Sequence, residues 1–212
     1  MKNIFVSFVI VAICGQESSP SPAPARIAIK VGRVLDVRSG AIAENVTIIV
    51  EGERVVSVGN TTPTDATVIH LSDQFVLPGM VDCHAHVLGN LKDYSPGAAL
   101  RMSSPKRALW GARNLRGWLD RGFTALRCAG EEDQSYGQIA LRDGINEGLL
   151  QGPRMQSAGN YLSVTGGHGD SDFLAPDQAL PRRPNLADTV DSIAVSVRRD
   201  IKYGADWNRW RA

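Results

Sequence analysis

The sequence predicts an α/β fold, and three observations carry that prediction. β-branched runs without helical period fill residues 26–77. From Met80 onward, short apolar runs alternate with stretches of helical period, the pattern of parallel strands covered by helices. Glycine or proline marks most of the switches between them.

Composition narrows the function classes. The chain has 212 residues, 43% hydrophobic and 21% charged, with a formal net charge of +1. That balance offers no basic surplus for nucleic acid and no acidic tail. Cys14, Cys83 and Cys128 fit neither a disulfide framework nor a zinc-finger spacing.

The first fifteen residues read as a secretory signal peptide. Lys2 precedes the apolar run Ile4–Ile13, which is shorter than the ~20 residues a spanning helix needs. The chain is therefore expected to be exported, periplasmic or secreted, without a membrane span. Cys14 follows Val11-Ala12-Ile13 in the manner of a lipoprotein site, yet Ile13 is large where a small residue is wanted. Residues 16–25, rich in serine and proline, form a linker.

Residues 26–77 are expected to form a small β-sandwich. Ile27–Val31, Val46–Val50, Arg54–Val58 and Thr67–Leu71 supply strands, with a further strand at Arg33–Asp36. Glu51-Gly52-Glu53 and Ser39-Gly40 provide turns. His70 falls inside a strand and reads as structural.

Residues 78–212 form the alternating domain. Ser104-Pro105 starts a helix whose apolar residues Ala108, Leu109, Ala112, Leu115 and Leu119 repeat at helical spacing, and Gly122 ends it. Trp110 and Trp118 read as packing residues. Phe123–Arg127 is the second strand, Gln138–Glu147 the second helix and Met155–Ala158 the third strand. A third helix spans 188–203, with Val190, Ile193, Ala194, Val197 and Ile201 as its expected apolar stripe. Ala205-Asp206-Trp207 opens a fourth strand.

The chemistry concentrates behind Pro78-Gly79. Met80-Val81-Asp82-Cys83-His84-Ala85-His86 reads as a strand, on which residues two apart share a face. His84 and His86 can then close on one divalent cation, for which imidazole is a suitable ligand. Two histidines so spaced are often surface residues; the apolar strand, the Pro-Gly and the acid favour the metal reading. A second glycine-rich stretch, Gly159–Asp170, brings His168 to a loop beyond the third strand, as a substrate contact, a residue behind the metal ligands, or a loop histidine bonded to its own backbone.

Pro78-Gly79-Met80-Val81-Asp82-x-His84-x-His86 resembles the first-strand motif of the amidohydrolase superfamily. Gly152-Pro153-Arg154 with Leu162-Ser163-x-Thr165-Gly166-Gly167-His168-Gly169-Asp170 resembles its imidazolonepropionase-like and Xaa-Pro dipeptidase-like branch. The resemblance implies a (β/α)8 TIM-type barrel and hydrolysis of an amide or dipeptide C–N bond. It also implies one or two divalent ions, zinc by preference, with His84 and His86 as metal ligands and His168 as a substrate contact.

The sequence also departs from that pattern. A full barrel takes ~250 residues, and residues 80–212 supply three to four βα units, so a partial barrel, a truncated family member, is expected. Relatives continue the motif Lys202–Trp207 with an apolar residue and a lysine, which when carbamylated bridges two metals. Here Asn208-Arg209 follows, and a guanidinium, always protonated, can neither carry a carbamate nor ligate a cation. Cys128 stands where relatives commonly carry aspartate, and the general base of the eighth strand has no counterpart. The alternative to a hydrolase is thus an inactive fragment with at most weak metal binding. Open barrel edges are expected to favour self-association.

Overall fold

A computed structural model describes residues 25–93, 95, 97–170, 172–178, 183 and 185–211. The signal peptide, most of the Ser/Pro linker and Cys14 lie outside the described residues. The chain divides into two compact units between Pro78 and Gly79. No helix among the described residues is long and apolar enough to cross a membrane.

The first unit is a four-stranded sheet: β1 (Arg26–Leu35), β2 (Ile42–Glu51), β3 (Arg54–Gly59) and β4 (Thr67–Val76), in the order β3-β2-β1-β4. β1, β2 and β3 form an antiparallel meander, and β4 runs parallel to β1. The β2–β3 hairpin closes through Gly52 at φ 57°, as the Gly-rich turn predicts. The two strands expected at 27–31 and 33–36 are a single strand. Its ladder with β4 slips between Val31 and Arg33, at Gly32, where a Cβ would lie 2.3 Å from the Ser72 carbonyl oxygen. The slip bends β1 without ending it.

Among the described residues, this unit forms one four-stranded sheet. Ala28, Val31, Val46 and Ile49 are buried, whereas Val55, Val56, Val58 and Ile69 lie open. His70 is exposed in β4.

The second unit carries the parallel sheet β5 (Met80–Ala85), β6 (Phe123–Cys128) and β7 (Arg154–Ser157), in that order. α1 (Ser104–Leu119) crosses from β5 to β6, and α2 (Gly137–Asn146) from β6 to β7. Left-handed glycines Gly122 and Gly148 follow the two helices, as their positions predict. Val87, Leu88, Leu115, Leu126, Cys128, Leu141 and Met155 make the core between sheet and helices. Gly111 lets α1 and α2 approach; a Cβ there would meet Leu141 at 2.3 Å.

α1 presents a different face from the one expected. Leu115 is fully buried, but Leu109 is 74% exposed, and Arg107, Gly111 and Asn114 turn inward instead. Asn114 donates to the carbonyls of Val87 and Gly89 at 2.9 and 2.8 Å, fastening the segment after β5. Hydrogen bonding decides the orientation.

α3 (Val190–Lys202) starts with a capping box, Thr189 with Ser192. Its expected apolar stripe is corrected: Val190 and Ile201 are 82% and 60% exposed, and the buried positions are Ser196 and Asp200. Asp200 accepts from the Tyr136 hydroxyl at 2.8 Å, so a polar contact seats this helix.

The chain after α3 extends the parallel sheet. The Asp206 amide donates to the Ser157 carbonyl at 2.8 Å, and Trp207 bridges Ala158 in parallel. This is the fourth strand position the sequence predicts, reduced to a single bridge. Beyond it, β9 (Trp210–Arg211) pairs in parallel with β8 (Leu162–Ser163), which lies in a stretch read from the sequence as loop.

Candidate functional site

His84 and His86 come together, though not along a regular strand. The β5–β6 ladder shifts between Asp82 and Ala85, placing an extra residue in β5 at the first histidine. Such a bulge re-aims a side chain. The Asp82 carboxylate closes it by accepting from the His84 amide at 2.9 Å. The two rings lie edge to face with centroids 5.5 Å apart.

The environments of the two differ. His84 is exposed, and its Nε2 lies 2.7 Å from a guanidinium nitrogen of Arg209. Guanidinium only donates, so Nε2 accepts in this contact. His86 is half-buried, with Nδ1 2.7 Å from the Gly130 carbonyl, to which it donates. That bond places the lone pair on Nε2, the arrangement found in metal-ligating histidines. Tyr161 stands edge-on to His86 at 6.3 Å.

The loop after β6 supports this pair. Gly130 has φ 91°, and a Cβ there would press on the Gly159 carbonyl at 3.0 Å. Only glycine delivers its carbonyl to His86 without strain. Three acids follow. Glu131 is buried and accepts from the amides of Val87 and Leu88, holding the chain directly after His86. Burial pushes its carboxyl up to about 7, opposed by those amides and by Arg107. Glu132 accepts from the Tyr161 hydroxyl and from Arg183 at 2.6 Å. Asp133 accepts from Ser104 at 2.6 Å and from the Gly137 amide at 2.8 Å, tying α1 to the start of α2.

These acids were not singled out in the sequence. Their signal was present: Glu131-Glu132-Asp133 stands directly beyond a strand's carboxyl end, where parallel α/β sheets place functional groups. Cys128 is fully buried in the core. Burial, with the nearby Glu131, pushes its thiol up to about 12, which makes it an inert packing group.

A cleft of about 300 Å³ opens beside the site, lined in part by Leu88, Leu100, Met102, Phe173, Glu132 and Arg183. Apolar and charged side chains both line it, and Glu132 among them accepts from the Tyr161 hydroxyl, whose ring stands edge-on to His86. His168 is exposed in the turn between Thr165 and Asp170. The Asp170 oxygens serve that same loop, accepting from the amides of Gly166 at 2.8 Å and Asp172 at 3.1 Å. Asp170 is therefore engaged in shaping its own loop.

A divalent cation does not fit this donor set as it stands. Among the described residues no three His, Cys, Asp or Glu side chains converge on one point. A catalytic zinc ion needs three protein ligands as a rule, and the Nε2 lone pair of His84 is engaged by Arg209.

Comparison with known proteins gives a consistent picture. No family model matches the chain. It is 33% identical to ochratoxinase of Aspergillus niger over 150 aligned positions, covering 61% of this chain and 29% of that protein. Among solved structures it resembles a Xaa-Pro dipeptidase with bound methionine in its active site. That match has a TM-score of 0.77 and 26% identity, covering 88% of this chain and 47% of the other. It also resembles a prolidase complexed with N-methylphosphonate-L-proline, with a TM-score of 0.74, 30% identity and coverages of 88% and 46%. The chain thus spans less than half the length of these solved relatives. Its fold class is α/β, a partial (β/α)8 barrel preceded by a β domain.

Proposed function

We propose that this chain, which belongs to the amidohydrolase superfamily, carries the first part of a site for hydrolysing carbon–nitrogen bonds in small amides or dipeptides. The observation behind this reading is the convergence of His84 and His86 at the carboxyl end of the first barrel strand. Each element around the pair has a role in that chemistry. Gly130 fixes the tautomer of His86, Glu131 holds the backbone behind it, and the cleft beside it suits an apolar side chain. His168, on its exposed loop, is the proposed substrate contact. The relatives' names support the substrate class: a dipeptidase, a prolidase and ochratoxinase.

A second reading, an inactive relative with weak metal binding, is favoured by one contact, that of Arg209 with His84. Hydrolysis of a panel of Xaa-Pro dipeptides and N-acyl amino acids by the full chain, with and without added zinc, separates the two. Turnover that disappears in His84→Ala and His86→Ala supports the hydrolase. No turnover above the protein-free blank supports the inactive relative.

We further propose export, on the strength of the Ile4–Ile13 run behind Lys2. Mass spectrometry of the mature N-terminus tests it, and an intact Met1 in exported cell fractions would count against it. Self-association through the edge strand β5, where Val81 is 60% exposed, is tested by light scattering; a monodisperse monomer at micromolar concentration would refute it.

A further inference from the structure

Arg209 reaches the histidine pair from a fixed base. The Leu162 amide donates to its carbonyl at 2.8 Å, and Trp210 and Arg211 beyond it pair with Leu162 and Ser163. Before it, Trp207 bridges Ala158. From this position one guanidinium nitrogen lies 2.7 Å from His84 Nε2 and 3.3 Å from the Ala129 carbonyl oxygen. The side chain is half-buried, and Ala129 adjoins Gly130, whose own carbonyl holds His86.

One lone pair on His84 serves one partner. A guanidinium donating to it and a divalent ion coordinated by it exclude each other, and their like charges oppose occupancy of adjoining positions. Arg209 cannot yield by losing its proton, because guanidinium stays charged.

We infer that Arg209 is a built-in cation that occupies the position of a metal ion at His84, so that this chain binds divalent metal at the His84/His86 pair only when Arg209 is displaced. This goes beyond the functional reading. It concerns binding alone and stands or falls whether or not the chain hydrolyses an amide.

The test is titration of the full chain, without a histidine tag, with Zn²⁺ by calorimetry and with Co²⁺ by visible absorption. Three proteins are compared: the parent, Arg209→Ala, and Arg209→Ala with His84→Ala. Loss of a charge-assisted hydrogen bond predicts that Arg209→Ala binds Co²⁺ about tenfold or more tightly than the parent. Replacing His84 as well is expected to cancel that gain. Equal affinity in the parent and Arg209→Ala overturns the inference, and so does a gain that survives loss of His84. Arg209→Gln, which keeps a hydrogen-bond donor without the charge, is expected to fall between them; its circular dichroism should match that of the parent.

Discussion

The two units bury different kinds of group. In the β1–β4 sheet the buried positions are Ala28, Val31, Val46, Ile49 and Thr47, and among its described residues no charged side chain is buried. In the unit from Gly79 onward, Arg107, Glu131, Asp133 and Asp200 are all buried, together with Asn114, Gln138 and Asn160. Burying charge is unfavourable unless each group is paired. Most of these are: Glu131 to two backbone amides, Asp133 to Ser104 and Gly137, Asp200 to Tyr136. The first sheet is held by apolar packing and its ladder. The second adds a polar framework, concentrated where the histidines sit. Such a framework orders a site more than it stabilises a fold.

The largest effect expected from this contrast is at the apolar core of the second unit. Leu115 is fully buried between α1 and the parallel sheet, and Leu115→Ala should destabilise by about 4 kcal/mol. Urea unfolding followed by circular dichroism measures it. A loss below about 1 kcal/mol would mean that apolar packing is not what holds the second unit.

Next comes Glu131. Its pKa is raised in the folded state, so the folded protein holds the proton more tightly than the unfolded chain does. The resulting stabilisation is complete below the unfolded value near 4.5 and is lost as pH rises through about 7. Stability should therefore fall by roughly 2–3 kcal/mol between pH 5 and pH 8. In Glu131→Gln that slope should flatten, and an unchanged slope would assign the pH dependence to another group.

A smaller loss, about 1–2 kcal/mol, is expected for Tyr136→Phe, which removes one hydrogen bond from buried Asp200, whose Oδ2 already lacks a partner. Thermal unfolding of this variant against Asp200→Asn shows whether the bond or the charge matters. The smallest effect is assigned to the first unit. Val58 in β3 is 54% exposed, and Val58→Ala should change stability by no more than about 0.5 kcal/mol. A cost similar to that of Leu115→Ala would erase the contrast between the units.

The parts legible in the sequence are those governed by period and punctuation. Alternation of β-branched runs located β2, β3 and β4, and Gly52, Gly122 and Gly148 stand at the expected turns and helix ends. The pairing of His84 with His86 was also legible, although by way of a bulge that spacing alone does not reveal. What escaped was set by contacts distant in sequence. The inward faces of α1 and α3 were misread because Asn114 and Asp200 turn inward to hydrogen bonds, and hydrophobic period does not record polar partners. Glu131, Glu132 and Asp133 were passed over because three consecutive acids ordinarily face water. Here the first turns back under the chain after His86. Arg209 was legible as a departure from the lysine that the resemblance implies, but its contact with His84 spans 125 positions of sequence.

The parallel pairing of β1 with β4 bears on how the protein is made. Ile27 lies opposite Thr67 and Val34 opposite Val76, so this ladder closes only once some forty further residues have left the ribosome. The β1–β2–β3 meander needs no such wait, since each of its strands follows its neighbour through a short turn. During synthesis β1 therefore presents one edge of unpaired backbone N–H and C=O groups until β4 emerges and pairs with it. Growing chains crowded on one messenger would be most prone to pair with each other in that interval.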